Sequence, residues 1–349
     1  MISVKETVIN LVEAAYNLEV GPASWLPQLL EQGHPTLDLG AGFAAAIWGG
    51  MSDDGQPLIM QMHVGAGAPD LPLRYMSAAK EVGPDVVQAT TAENVGGVNV
   101  LSEHRDQWPP VYEALTRHVG CKDILTLWAL DPDLQGVNLS IPSPELIRLT
   151  PAAREQWQML AVHITAGHRL RTRLTEAGPA TGVPVTEMPL NAEALLDPTK
   201  FLVSQAAGGA QDKAASEVIR EAAVRVDKAR GGLRKSDPQE ALELWHGLVR
   251  GRWSLVDWFD TDGRRFVLAK PNAPNIGDPR GLTEREHQVA TYAALGESNK
   301  LLSYRFGISR PRVSKLLSSA MHKLGVKTQA QLIEKMRGLP GSPEIDTEK

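Results

Sequence analysis

RFGISRPRVSKLLSSAMHKLG, residues 305–325, decides the fold of the last part of this chain. Gly307 lies between two short predicted helices, the first beginning after the N-cap Ser298 and the second after the N-cap Ser309. Gly325 ends the second of these helices. Two short helices joined by a turn of three or four residues that contains glycine are typical of a helix-turn-helix. The stretch therefore predicts a helix-turn-helix, whose second helix enters the major groove of DNA.

Two further helices flank this pair. Thr283 and Glu286 form a capping-box pattern that begins a first helix. Thr328 and Gln331 repeat the pattern at the start of a last helix. These signals together predict an all-α module of four helices over residues 281–338.

The third predicted helix of the module has one apolar face and one polar or basic face. Arginine and lysine can donate hydrogen bonds to guanine edges, and serine can bond to bases or phosphates. We predict that the outward side chains bind DNA in the groove: Arg310, Arg312, Ser314, Lys315, Ser318, Ser319 and His322. Four residues near helix ends are predicted to contact phosphates: Asn299, Lys300, Lys327 and Thr328.

The predicted module is basic, whereas the rest of the chain is acidic. Residues 281–338 contain ten basic and four acidic side chains, a formal net charge of +6. The whole chain has a net charge of −5, so the remaining residues carry −11. A basic module on an acidic body is the asymmetry expected of a nucleic-acid reader attached to another region. A helical bundle with a merely solvated basic face is the weaker interpretation, because turn spacing, capping and charge agree.

These residues resemble the LuxR-type (GerE-like) helix-turn-helix of bacterial transcription regulators. The resemblance rests on five motifs: Leu282-Thr-x-Arg-Glu286, Gly296-x-Ser-Asn-Lys300, Gly307-Ile-Ser309, Val313 and Lys323-Leu-Gly-Val326. It implies a four-helix fold, DNA binding by the third helix and dimerisation helped by the fourth, with double-stranded DNA and RNA polymerase as partners. Arg312 and Leu316 stand where the family usually has threonine and histidine, so the sequence preference of relatives does not transfer.

The residues before this module predict an α+β sensor region. Residues 1–174 show the order helix, hairpin, helices, hairpin and long helix, an architecture that resembles GAF and PAS sensor domains. Residues 184–270 contain strands, inserted helices and a closing hairpin, which predict a second PAS-like region. Three prolines in residues 271–280 indicate a linker to the C-terminal module, and the polar residues 339–349 indicate a flexible tail.

Composition bounds the class of protein. A length of 349 residues is enough for two or three domains, and 42% hydrophobic with 22% charged residues is ordinary for a soluble protein. No apolar run approaches the ~18 residues that a membrane helix needs, and the first residues lack a secretory pattern. The one cysteine, Cys121, excludes an internal disulfide. We therefore expect a cytoplasmic protein with no membrane association.

Sequence motifs for catalysis are absent. The glycine pairs in residues 40–42 and 65–67 lack the third glycine and the following helix of a dinucleotide site. The chain has no HExxH, Walker or GxSxG motif, and its nine histidines are scattered. We therefore predict that the protein is not an enzyme, and the sequence identifies no cofactor.

Eight tryptophans are many for a chain with five tyrosines. Four of them fall in predicted strands: Trp48, Trp128, Trp253 and Trp258. Such residues can line a ligand pocket, although core packing is the favoured interpretation. The tryptophan–tyrosine–aspartate pattern of the acyl-homoserine-lactone receptors in the wider family is not found, so the signal, a small molecule or a protein, stays open.

Together these patterns predict a bacterial transcription factor that acts as a homodimer, with a sensor region that controls a C-terminal DNA-binding module. A dimer is expected because one short helix reads too few base pairs for a genomic target. The alternative is a signalling adaptor without enzymatic activity, in which the helical module serves mainly for dimerisation.

Overall fold

The computed structural model describes residues 7–52, 57–67, 69–87, 90, 97–176, 188–274, 276 and 281–337. In this part of the chain two antiparallel sheets lie among helices, and a bundle of four helices follows them. The mixed α/β class and the helical C-terminal domain agree with the sequence prediction. None of the helices in the described ranges combines the length and apolar character needed to cross a bilayer. The predicted tail, 339–349, lies outside the described residues.

The first sheet has five strands in the order β2-β1-β5-β4-β3. Its elements are α1 (Thr7–Ala15), α2 (Pro22–Leu37), β1 (Phe43–Met51), β2 (Pro57–Ala66), α3 (Leu71–Val82), β3 (Val98–Val100), α4 (Pro109–Val119), β4 (Asp123–Leu130), β5 (Gln135–Ser143) and α5 (Pro151–Glu176). Both predicted hairpins are present, as β1 with β2 and β4 with β5. The short edge strand β3 was not predicted.

The second sheet has four strands in the order β7-β6-β9-β8. Its elements are β6 (Ala194–Asp197), β7 (Leu202–Ala206), α6 (Lys213–Arg230), α7 (Leu233–Ser236), α8 (Pro238–Leu244), β8 (Trp253–Phe259) and β9 (Arg265–Pro271). Asp212 and Asp237 cap α6 and α8, each accepting a hydrogen bond from a backbone N–H in the first turn. The strands β8 and β9 form the predicted closing hairpin.

Four helices form the C-terminal domain: α9 (Glu284–Ala294), α10 (Asn299–Phe306), α11 (Arg310–Leu324) and α12 (Gln329–Arg337). The predicted caps are confirmed. Thr283 and Glu286 make both hydrogen bonds of a capping box, and Ser309 caps α11. Gly307 and Gly325 adopt left-handed backbone conformations, with φ of 60° and 70°, which end α10 and α11.

One continuous apolar core joins both sheets. Alternation along β4 turns Leu125, Leu127 and Ala129 to one face of the first sheet, where they pack with buried residues of α1, α2 and α5. The same core extends through the second sheet and α6, and it includes Leu301 and Tyr304 of α10. The two predicted sensor regions therefore have separate sheets but share one hydrophobic interior.

The start of the predicted linker, 271–280, packs against the preceding part of the chain. Pro271 is the last residue of β9, and the side chain of Asn272 is fully buried. The Asn272 amide donates hydrogen bonds to the carbonyl oxygen of Ala166, at 3.0 Å, and to the hydroxyl of Ser254, at 2.7 Å. These contacts hold the start of this segment against α5 and β8. Residues 275 and 277–280 lie outside the described part of the chain.

A buried ion pair lies where the two sheets and the C-terminal domain meet. Arg169 of α5 donates from Nε to Asp131, at 2.7 Å, and from Nη1 to the carbonyl oxygen of Asn272, at 2.9 Å. Tyr292 of α9 donates its hydroxyl hydrogen to the same Asp131 carboxylate, at 2.7 Å. Burial by itself raises the pKa of Asp131, but the charge and hydrogen bonds of Arg169 outweigh it and hold that pKa below its usual range.

We expect Asp131→Ala to lower the free energy of unfolding by about 3–5 kcal/mol, because it leaves the Arg169 charge buried without its partner. The Arg169 and Asp131 side chains are 8% and 14% exposed. Urea denaturation measures the change. The control is Glu217→Ala, which breaks the exposed pair with Arg220 on α6 and should cost under about 1 kcal/mol. Equal losses in the two variants would contradict the role given to the buried pair.

Candidate nucleic-acid interface

The third helix of the C-terminal domain, α11, has a buried and an exposed face. Its inner face packs against the other helices of the domain through Val313, Leu316, Ala320 and Leu324. Six of the seven side chains predicted to bind in the groove are exposed on the opposite face: Arg310, Arg312, Ser314, Lys315, Ser318 and His322. The outward surface is therefore polar and basic, as a helix that enters a DNA groove requires.

The seventh predicted residue, Ser319, is engaged inside the domain. Its hydroxyl donates to Glu286 of α9 at 2.6 Å, and the Lys323 ammonium donates to the same carboxylate at 2.7 Å. These two hydrogen bonds, with one from the backbone of Thr283, lower the pKa of Glu286 to about 2. Glu286 thus remains ionised at neutral pH and fixes the angle of α11 against α9.

Three of the four residues predicted to contact phosphates are exposed. Asn299 is exposed, and its amide donates to the hydroxyl of Ser314 at 3.2 Å, so these two predicted contacts lie side by side. Lys327 and Thr328 are exposed at the start of α12, where their backbone N–H groups donate to the side chain of Gln331. The structure therefore places Asn299 beside the exposed face of α11.

Lys300 points instead to the body of the protein, by which we mean the described residues from 7 to 274. Its ammonium lies 2.6 Å from the carboxylate of Glu155 on α5 and 3.9 Å from that of Glu243 on α8. The side chain of Lys300 is 35% exposed, so the pair is half-buried. A lysine that neutralises these carboxylates is turned away from a phosphate on the outer surface.

A buried chain of hydrogen bonds fixes α10 against the body. The Tyr304 hydroxyl donates to the carbonyl oxygen of Leu242 at 2.8 Å, so it receives the Nε2 hydrogen of His163. The other ring nitrogen, Nδ1, lies 3.0 Å from the hydroxyl of Tyr16 on α1, whose one hydrogen can go to this nitrogen or to the carbonyl oxygen of Gly247 at 3.2 Å. Burial lowers the pKa of His163 to about 3, so the ring is neutral and suits this arrangement.

The turn of the helix-turn-helix also touches the body. A Cβ atom added to Gly307 would lie 2.0 Å from the carbonyl oxygen of Leu248. Only a glycine allows this close approach together with its positive φ. Leu248 itself belongs to the apolar core of the C-terminal domain, although it lies far from that domain in sequence.

The contacts between the C-terminal domain and the residues before it were not predicted from the sequence. Glu155 and Lys300 are separated by 145 positions, and no local pattern relates a carboxylate to a lysine at that distance. His163 carried the one available signal, because it lies between Leu160 and Ile164 on the apolar stripe of α5. A histidine on a buried stripe needs two hydrogen-bond partners, but the sequence does not say which.

The protein-family model described as "Bacterial regulatory proteins, luxR family" (GerE) matches residues 280–336. This domain indicates a DNA-binding transcription regulator of the helix-turn-helix type. No curated protein matches the chain. The described residues contain no cluster of three or more histidine, cysteine, aspartate or glutamate side chains placed to bind a metal ion.

We expect Gly307→Ala to destabilise the protein more than Gly325→Ala. Both glycines have positive φ, so alanine costs about 1–2 kcal/mol of backbone strain at either position. At Gly325 nothing lies within 4 Å of the added Cβ, whereas at Gly307 the Cβ meets Leu248 and should cost about 1–3 kcal/mol more. Urea denaturation of the two variants measures this difference. Equal losses would show that the turn is not held against Leu248.

Proposed function

We propose that this regulator binds double-stranded DNA with the exposed face of α11 in the major groove. The observation that carries the proposal is the basic, exposed surface of this helix inside a domain that matches the luxR family. Arg310, Arg312 and Lys315 would donate to base edges, with Ser314, Ser318 and His322 along the groove. Asn299, Lys327 and Thr328 would contact phosphates. Ser319 acts by holding Glu286, and it reaches DNA only if that bond is exchanged.

A homodimer is part of this proposal. One recognition helix reads too few base pairs to select a genomic site, whereas a pair reads two half-sites about 10 base pairs apart. The helix α12 leaves Glu334 and Lys335 exposed and Ile333 half-buried, whereas Leu332 and Met336 are buried in the core of the domain. RNA polymerase is the proposed protein partner at the promoter.

We further propose that the residues before the C-terminal domain act as a sensor region and control DNA binding by holding that domain. Support comes from the buried contacts of Tyr304 and Tyr292 with the body, and from the ion pair that occupies Lys300. Lys300, a candidate phosphate contact, would become free when the pair with Glu155 opens. The PAS-like or GAF-like assignment of the sensor region is supported by the order of its elements alone.

Alanine substitutions on α11 test its role as the recognition helix. Arg312→Ala with Lys315→Ala should weaken binding of duplex DNA by about 1–3 kcal/mol for each residue that contacts a base, and should reduce the dependence of binding on salt. Fluorescence anisotropy with labelled duplex DNA at two salt concentrations measures both effects.

The control for this test is Arg220→Ala with Lys228→Ala on α6, which makes the same change in net charge on the body. It should bind DNA almost as tightly as the unaltered protein. If the two double variants bind equally, α11 is not the recognition helix. If the unaltered protein does not bind DNA even at low salt, the adaptor alternative replaces the proposal.

Substitution of Glu155 tests whether the body controls DNA binding. Glu155→Gln should free Lys300 and strengthen DNA binding by about two- to fivefold, the range that a half-buried ion pair allows. Adding Lys300→Gln to this variant should cancel the gain. Glu217→Gln is the control, because it removes the same charge from an exposed pair elsewhere. Equal anisotropy curves for Glu155→Gln and Glu217→Gln would contradict the proposed control.

A further inference from the structure

One face of the first sheet carries many polar side chains although helices cover it. Alternation along the strands turns apolar side chains to the first face of the sheet, and amides, hydroxyls and an indole to the second face. Across β4 and β5, Trp128 lies opposite Asn138, and Thr126 lies opposite Ser140. On the edge strand β3, Asn99 lies opposite Thr126. Five polar groups therefore form two neighbouring rows.

The helices α3 and α4 cover these rows, but they do not fill the space. A cavity of about 290 Å³ remains between the helices and the sheet, which is close to the smallest volumes of small-molecule sites. Its apolar walls include Trp48 and Ala46 of β1, Met76 of α3 and Leu115 of α4. Glu81 of α3 accepts hydrogen bonds from Arg117 and His118 of α4, and so ties the two covering helices together.

Several polar atoms around the cavity lack a hydrogen-bond partner within the described part of the chain. They are Trp128 Nε1, Asn138 Nδ2 and Asn99 Oδ1, and all are shielded from solvent. Burial raises the pKa of the Tyr75 phenol, which also lines the cavity and hydrogen-bonds to the side chain of Ser140. Each unpaired buried group costs about 1–3 kcal/mol, so three around one cavity call for a bound molecule that pairs with them.

Charge limits what this molecule can be. Among the described residues that line the cavity there is no aspartate, glutamate, lysine or arginine, and the one histidine, His104, is half-buried with its Nδ1 3.5 Å from Gln107 Oε1. An ion would lose its hydration there without gaining a permanent opposite charge, which is unfavourable by many kcal/mol. The cavity therefore suits an uncharged molecule.

We propose that this cavity binds an uncharged, largely apolar small molecule that carries a carbonyl oxygen beside an N–H or O–H group. The carbonyl oxygen accepts from the Trp128 indole and the Asn138 amide, whose residues lie opposite each other with Cβ atoms about 4.5–5.5 Å apart. The neighbouring donor of the molecule reaches Asn99 Oδ1, because the residue Asn99 is the diagonal neighbour of Trp128 on the sheet, with backbone atoms about 7–8 Å apart. The assignment gives the sensor region its signal, and in that sense it rests on the proposed function.

The test uses three probes with the same phenyl ring on the full chain: benzamide, benzoate and toluene. Ligand-observed NMR titration gives a dissociation constant for each. We expect benzamide to bind at least fivefold more tightly than benzoate or toluene, because it alone is uncharged and offers a carbonyl beside an N–H. Asn138→Leu should weaken benzamide about five- to tenfold, the loss of one hydrogen bond, and should leave toluene as tight or tighter.

A matched control separates recognition from folding. Asn17→Leu removes an amide that bonds to Gln28 outside this cavity, and it should change none of the three constants. Asn138→Leu should keep its thermal stability, since Nδ2 has no partner within the described residues to lose. Equal binding of benzoate and benzamide, unchanged benzamide binding in Asn138→Leu, or no probe binding at millimolar concentration would each overturn the proposal. The titrations contain no DNA, so they can fail while DNA binding by α11 stands.

Discussion

The ion pair between Arg169 and Asp131 is the constraint on which the arrangement of the whole molecule depends. A buried guanidinium needs partners for its donors, and they come from the turn after β4 and from Asn272, directly after β9. The first helix of the C-terminal domain joins the network by donating from Tyr292 to the same Asp131 carboxylate. Removing any one segment would leave a charge or a dipole buried without compensation. This network therefore joins the first sheet, the long helix α5 and the DNA-binding domain directly to one another.

The local features of the fold were readable from the sequence, because they depend on neighbouring residues. The capping box at Thr283, the left-handed glycines and the two hairpins of the first sheet all follow from the chemistry of a few adjacent positions. The packing of Asn272 at the start of the predicted linker, 271–280, could not be read in this way, for the opposite reason. Prolines indicate a linker, but burial of this side chain depends on Ala166 and Ser254, which are distant in sequence. The edge strand β3 has three residues, too few for a period to show.

The candidate DNA-binding site also has features that could be predicted from the sequence and features that could not. The basic outer face of α11 could be predicted, because helical periodicity separates it from Val313 and Ala320 on the inner face. The engagement of Lys300 and Ser319 could not, because a side chain's free or bound state is set by partners on other elements. The cavity was suggested only through the tryptophans, and core packing was the preferred explanation for them. Trp128 packs against apolar neighbours, and its N–H has no partner among the described residues, so this side chain borders both the core and the cavity.

The cavity and the DNA-binding domain are joined by direct contact. Leu295, at the end of α9, packs against the cluster that contains Trp48, Leu130 and, at its margin, the cavity residue Trp128. Asp131, the acceptor in the buried network, directly follows Leu130. A molecule that moves Trp128 or Trp48 thus acts on the same strand end and on the same packing surface that hold the C-terminal domain. If such a molecule binds the held and released arrangements with different affinity, DNA must change its affinity by the same factor, because coupling between two binding sites is reciprocal.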